Sequence, residues 1–320
     1  MQVIRLESLR ERYLKDVRRT LFSHPRHIPT CYLYMDQGAE LFEQLCRHPG
    51  YTLYGEESRL IERLADKPFS TGVRDTQVIE LGGGDSQKIA PLLRTLLGHA
   101  AITYTCIDLS EGMIQLCLRT ISQKFPQLPS KGIVSGFSNG ISFLADIDHA
   151  SRLFLLLGNT ISNFPPPELQ ELLDAIRQAM GPSCRFVLGV AVGTTPSDDN
   201  IYSQSADLFV QFIKNSLHIL AAITNAQIDP DAFDVEVGYG PHVRAYSSEL
   251  VSVHGQTMTL PALNAELELQ QGERITVGRS YLRTENEIVQ LFVASGFKVV
   301  KSLSSMQNGS CVFIFKRDEP

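Results

Sequence analysis

Between residues 76 and 192 the hydrophobic positions alternate between two patterns. Short unbroken apolar runs are separated by longer stretches in which apolar residues recur every three or four positions. The unbroken runs are "TQVIELGG" (76–83), "AITYTCIDLS" (101–110), the first half of "SRLFLLLGNTISNF" (151–164) and "CRFVLGVAV" (184–192). Each is rich in β-branched and aromatic residues and closes on glycine or turn formers, the mark of a strand buried on both faces. The stretches between them, "KIAPLLRTLLGHA", "EGMIQLCLRTISQKF" and "PPPELQELLDAIRQAM", carry helical spacing. Pro91 fits the first of these only within its opening turn. Strands alternating with helices of this length require crossovers, and hence a parallel sheet.

After residue 192 the pattern breaks. "GTTPSDDN" (193–200) is polar and rich in turn formers. A helix, "ADLFVQFIKNSLHILAAITNA", then leads into short alternating segments up to about residue 282, which read as antiparallel strands. The tail returns to the first pattern. "TENEIVQLFVASGF" predicts a helix with Thr284 as N-cap and Gly296 as its stop, and "KVVKSLSSMQNGSCVFIFKRD" predicts two strands turning at Asn308–Gly309. The expected architecture is α/β: a doubly wound, Rossmann-like domain over 56–192 plus 283–320, interrupted by an inserted α+β domain. Residues 1–55 read as helices without strands and are assigned with 193–282 to this second domain. A crevice between two such domains is the default place for a small molecule.

Composition narrows the function classes. The net charge of -6 and the lack of a long basic stretch disfavour a nucleic-acid partner. No apolar stretch reaches a membrane-spanning length, and the charged, amphipathic N-terminus lacks the apolar centre of a secretory signal. The six cysteines are scattered without a CxxC pair, and the eight histidines show no HxxxH or HExxH spacing. These features predict structural thiols, no metal site and a cytoplasmic location. His149, flanked by carboxylates in "DIDHASRLF", reads as part of a solvated loop.

The candidate chemistry sits where apolar runs end. Gly82, Gly83 and Gly84 follow the first strand, at the edge where open α/β sheets bind ligands. The turn is not a P-loop, since Gly-Lys-Ser/Thr is missing, and Gln87 replaces the third glycine of a dinucleotide fingerprint. Asp108 ends the second strand, where an acid can accept hydrogen bonds from ribose hydroxyls. The third strand delivers Gly158, Asn159 and Asn163 to the same edge, before Pro165–Pro167 fix a helix entry. Taken alone, these features suit NAD, FAD or S-adenosylmethionine, and each also has a structural reading as a tight turn or a helix cap.

Seven stretches, "LYMDQGAELFEQLCRHPGY", "ESRLIER", "IELGGGDSQK", "CIDLS", "LLLGNTISNFPPPE", "DPDAF" and "YLRTENEI...ASGF", run in order along most of the chain. Together they resemble the histidine-specific Nα-methyltransferases of ergothioneine biosynthesis and their fungal dimethylallyltryptophan N-methyltransferase relatives. The resemblance implies S-adenosylmethionine as cofactor, held by Tyr34, Gly82, Lys88 and Asp108, with Phe137 near the adenine and Gly158 lining the site. It implies that Asn163 and Tyr202 bind the amino and carboxylate groups of an α-amino-acid acceptor, with Tyr34 helping to hold the amine.

The chain also departs from that family. Gly136 stands where an aspartate is expected, and Thr52 where a tyrosine is expected. Val277 and Arg279 stand where a glutamate and a serine grip the imidazole. The expectation is therefore an S-adenosylmethionine-dependent N-methyltransferase of an amino acid or amino-acid-derived small molecule other than histidine. Alternatives are an O- or C-methyltransferase of a specialised metabolite and a cofactor-binding protein without turnover. Oligomeric state is not readable from the sequence.

Overall fold

The computed structural model describes residues 2–6, 9–66, 75–145, 151–193, 206–305 and 309–319. They form two compact units. The first comprises Met1–Leu6, Thr52–Thr195 and Leu282–Pro320, and the second Glu7–Tyr51 and Pro196–Tyr281.

The first unit is built on an eight-stranded sheet. Its strands are β1 (Gln2–Arg5), β2 (Asp75–Leu81), β3 (Ala101–Asp108), β4 (Ser130–Val134), β5 (Arg152–Leu156), β6 (Arg185–Ala191), β12 (Phe297–Ser304) and β13 (Ser310–Arg317). Their order is β1-β4-β3-β2-β5-β6-β13-β12. The six strands from β1 to β6 are parallel, whereas β13 runs antiparallel to both β6 and β12. The four apolar runs are β2, β3, β5 and β6. All five residues of β5 are buried, as expected of a central strand covered on both faces. The terminal β12 alternates buried and exposed positions instead, with Lys298 outward, as suits a sheet edge.

Two strands do not stand out in the apolar pattern. β1 is "QVIR", within a segment that reads as strandless, and pairs in parallel with β4, itself the short "SKGIV". Residues 1–6 thus belong with the first unit, as does the helix Thr52–Ala65. The other helices follow the sequence reading closely. Pro91 sits in the first turn of Ala90–Leu97, and the Ser110 hydroxyl accepts from the Met113 amide to cap Glu111–Lys124. Thr284 and Glu287 form a reciprocal capping box on Glu285–Ala294, and Gly296 follows with φ +81°. The Asn308 half of the predicted β12–β13 turn and His149 lie outside the described residues, while Gly309 has φ +64°.

The second unit has its own apolar core. The helix Ala206–Thr224 places Phe209, Phe212, Ile213, Leu217 and Leu220 in it, and the helix Leu9–Leu21 adds Tyr13, Val17 and Leu21. The predicted antiparallel segments are a three-stranded sheet and a hairpin. The sheet runs β11-β8-β7, from β7 (Phe233–Gly240), β8 (Ala245–Ser252) and β11 (Arg274–Tyr281). The hairpin pairs β9 (Gln256–Leu260) with β10 (Ala265–Leu269). β7 alternates in burial, so one of its faces is solvated.

Candidate active site

Parallel register puts the candidate residues of the first unit in one row. Leu81 of β2 pairs with Ile107 of β3 on one side and Leu156 of β5 on the other. The next residues along each strand are therefore neighbours at the carboxyl edge: Gly82, Asp108 and Leu157, the last followed by Gly158. Backbone bonds continue the row, from the Gly82 amide to the Ile107 carbonyl (2.9 Å) and from the Ser135 amide to the Asp108 carbonyl (2.9 Å). Gly82, Gly84 and Gly158 have φ of +71°, +55° and +74°, a region that costs glycine nothing. A Cβ on Gly82 would lie 3.3 Å from Phe137 Cζ, so the bare backbone there faces the half-buried phenyl ring.

Gly83 differs from its neighbours. A Cβ at this position would meet Ser86 Oγ at 2.9 Å, with Cys106 Sγ and Glu80 Oε2 both at 3.0 Å. Its smallness therefore serves the packing beneath the turn. That packing is polar. Glu80 is 3% exposed, and its Oε2 accepts from the Ser86 hydroxyl (2.8 Å) and from the Tyr104 hydroxyl. Burial pushes the Glu80 carboxyl up to about 7, against the opposing pull of those two bonds and of Lys88. Burial likewise raises Asp108 to about 6, opposed by the backbone amides of Ser110 and Leu109. The Ser110 amide donates to Asp108 Oδ1 at 2.7 Å, which fixes the carboxylate at the strand exit.

Lys88 follows the glycine turn, with its side chain 14% exposed. Its ammonium forms an ion pair with Glu57 and lies 4.9 Å from the centre of the Tyr54 ring. Asn163 is half-buried at the end of a 3-10 turn (Thr160–Asn163), and its side-chain amide has no hydrogen bond among the described residues. Asn159, by contrast, is structural: its Oδ1 accepts from Ser162 Oγ (2.8 Å) and from the Ala191 amide (3.0 Å). Thr52 is exposed at the first position of its helix, and Gly136 is half-buried after β4.

The arrangement fits the nucleoside and amino-acid ends of S-adenosylmethionine. Asp108 offers a fixed acceptor for ribose hydroxyls, Lys88 offers a cation for a carboxylate, and the left-handed glycines expose backbone that a Cβ would cover.

In the second unit Tyr34 ends the 3-10 turn Thr30–Tyr34. Its ring packs edge-on against Phe42 (5.0 Å between centres) and Phe212 (5.2 Å). The turn is held by Asn215, 3% exposed, whose amide nitrogen donates to the carbonyls of Tyr32, Leu33 and Met35. Gly38 makes this possible, since a Cβ there would overlap the Leu33 carbonyl oxygen. Val277 and Arg279 both lie on β11: Val277 is the residue left without a register partner at the shift between Thr276 and Gly278, and Arg279 pairs with Ser247 beyond it. Val277 is 1% exposed in the apolar core, whereas Arg279 is half-buried and its Nε has no hydrogen-bond partner among the described residues. Tyr202 lies outside the described residues. Among the described residues no group of His, Cys, Asp or Glu could hold a metal ion, and no helix is long and apolar enough to cross a membrane. All six cysteines are free thiols.

Sequence reasoning assigned no individual role to Glu57 or Asn215. For Glu57 a signal exists. On the helix Thr52–Ala65 it shares the buried face of Leu60, Ile61 and Leu64, and an acid on an apolar face needs a partner. Asn215 is a polar residue among the apolar positions of its helix and carries the same signal.

The profile of the histidine-specific, S-adenosylmethionine-dependent methyltransferases matches residues 13–317. The histidine N-alpha-methyltransferase of Mycolicibacterium smegmatis is 25% identical over 289 residues, 89% of each chain. The 4-dimethylallyltryptophan N-methyltransferase easF of Epichloe festucae var. lolii is 21% identical over 322 residues, 92% of each chain. Among solved structures, the mitomycin 7-O-methyltransferase MmcR shares the fold, with a TM-score of 0.50 at 12% identity over 96% of this chain and 67% of that one. With glycine turn, Asp108 and Lys88 gathered at one sheet edge and the profile matched along nearly its full length, the chain belongs to the histidine-specific methyltransferase family and is an S-adenosylmethionine-dependent methyltransferase.

Proposed function

We propose that the enzyme methylates the nitrogen of an amino acid or amino-acid-derived small molecule, and that histidine is a poor acceptor. The observation that carries the second half is the pair Val277 and Arg279. An apolar side chain that is 1% exposed and a half-buried guanidinium take the positions expected to grip an imidazole. Neither can accept a hydrogen bond, and loss of such a partner costs about 1–3 kcal/mol. The relatives named above support the first half, since they are N-methyltransferases named for histidine and for a tryptophan derivative.

The bound cofactor supplies an electrophilic methyl group on a sulfonium. The task of the chain is placement, because an in-line displacement gains most from holding a neutral nucleophile close and aligned. Asp108 and Lys88 fix the cofactor's two ends. Asn163 has both acceptor and donor groups for the amine and carboxylate of an amino acid, and Tyr34 and Tyr202 add hydroxyls. No histidine or glutamate in these motifs is placed as a general base, so the amine arrives already neutral.

The test pairs an amino-acid acceptor, found by incubating metabolite pools with methyl-labelled S-adenosylmethionine, with its decarboxylated amine. Wild type should prefer the acid, and Asn163→Ala should lose most of that preference while cofactor affinity stays the same. Equal use of both compounds by wild type and variant would remove the amino-acid reading. Histidine turnover matching that of the best acceptor would remove the specificity reading.

A further inference from the structure

Glu57 is a buried acid that the methyl-transfer chemistry does not call for. It is 5% exposed, on a helix whose other buried residues are Glu56, Leu60, Ile61, Leu64 and Ala65. A buried ion pair seldom stabilises a fold more than well-packed apolar residues would, so stability alone is a weak reason for one here. Its bonds point to another reason. Oε2 pairs with the Lys88 ammonium, and both carboxylate oxygens accept from the Gly158 amide, at 2.8 and 3.0 Å. One carboxylate therefore ties together the residue after the β2 glycine turn and the exit of β5. Space for it comes from Gly189 of β6, where a Cβ would overlap Glu57 Oε1.

The tie matters because of what Lys88 is. A lysine ammonium is a point charge on a flexible stem with three donors, and it has no geometry of its own. Glu57 takes one donor and the centre of the Tyr54 ring lies 4.9 Å from Nζ, so both bias where the ammonium sits beside the exit of β5. Gly158 borders that place, since a Cβ on it would lie 3.6 Å from Lys88 Nζ. We propose that Glu57 is a positioning residue of the cofactor site. It acts through Lys88 and the Gly158 amide to hold a receptor for the carboxylate at the cofactor's amino-acid end. The inference rests on the identity of the cofactor and not on that of the acceptor, so its failure leaves the acceptor reading untouched.

The test measures binding by calorimetry with two probes. S-adenosylhomocysteine carries the amino-acid end, and 5′-methylthioadenosine lacks it. Glu57→Gln keeps the shape and removes the charge. It should weaken S-adenosylhomocysteine about 10-fold, the scale of one charge-assisted hydrogen bond, and leave methylthioadenosine within about twofold. Glu57→Asp, which keeps the charge, should show a smaller loss with the same selectivity. In a Lys88→Met background Glu57→Gln should cost little more, because the two residues act as one unit. Equal losses for both probes, additive losses in the double variant, or no loss at all would each overturn the proposal. Failure of both Glu57 variants to fold would overturn it too, in favour of a purely structural ion pair.

Discussion

The two units carry their candidate residues in opposite ways. In the first, Gly82, Asp108 and Gly158 stand at or just beyond the ends of buried parallel strands, and the register of β2, β3 and β5 sets those ends side by side. In the second, Tyr34 ends a 3-10 turn held by one asparagine, and Val277 sits in a bulge of β11 with Arg279 two residues beyond it. The difference follows from what each must accommodate. On the proposed reading, a cofactor with fixed chemistry is met by backbone and charges set by sheet geometry. On the same reading, acceptor choice falls to side chains on irregular segments, which can change without disturbing a ladder.

The comparison breaks most visibly at Gly83. Valine there would drive two methyl groups into Ser86, Cys106 and Glu80, all at or near the overlap limit for a Cβ alone. Overpacking of this kind costs about 1–3 kcal/mol, and the glycine turn would have to shift to relieve it. Gly83→Val should melt at a lower temperature and show no measurable S-adenosylhomocysteine binding by calorimetry. Wild-type affinity in this variant would mean that the turn does not shape the cofactor site.

The same contrast decides what is legible in the sequence. The strand exits are legible because an apolar run of a central strand has a sharp end, and the residue after that end is at the ligand edge whatever the neighbours do. Gly82, Gly84, Asp108 and the capping Thr284 fall at the element ends where the pattern places them, whereas Lys88 enters only through the family resemblance. β1 and β4 are not legible, because "QVIR" and "SKGIV" are four and five residues long and hold too little alternation to stand out. Gly83 is grouped by sequence with the ligand-facing glycines, since nothing in a run of three tells which one faces inward. In the second unit, period-two reasoning fails at the Thr276–Gly278 shift, because a one-residue slip exchanges the two faces of a strand. The hold of Asn215 on the Tyr34 turn is a contact between residues 180 positions apart for Met35, which no local pattern encodes.

A second, smaller effect sharpens the comparison from the side of the second unit. If acceptor choice resides on β11, the double variant Val277→Glu, Arg279→Ser should raise histidine turnover measurably. Thr52 would still lack the expected tyrosine ring, so the gain should stay within about tenfold, the value of roughly one hydrogen bond. S-adenosylhomocysteine affinity should remain within about twofold of wild type, because no residue of the cofactor row is touched. The Val277→Glu change also puts a carboxyl group into a core position now 1% exposed, so the melting temperature should fall. No gain on histidine in a variant that remains folded would show that β11 does not select the acceptor.

The smallest expected effect is a pH dependence confined to the first unit, and its sign separates folding from binding. In the folded protein Glu80 titrates at about 7 and Asp108 at about 6, against ordinary values of 4.5 and 3.8. Between those limits the native state holds protons that the unfolded chain has released. These two groups therefore stabilise the ligand-free protein at low pH, and their contribution is lost as pH rises through about 6 and then about 7. Binding runs the other way, because only an ionised Asp108 is a full acceptor for two ribose hydroxyls. From pH 5 to pH 8 the part of the ligand-free melting temperature owed to these groups should decline, while the rise produced by S-adenosylhomocysteine should grow. Two variants assign the trends. Glu80→Gln should flatten the ligand-free trend near pH 7 and leave the ligand-induced rise intact. Asp108→Asn should bind more weakly at pH 8 and lose the pH dependence of the ligand-induced rise. A rise in wild type that is constant from pH 5 to pH 8 would remove Asp108 from the ribose and leave the glycine turn and Lys88 as the anchors of the cofactor.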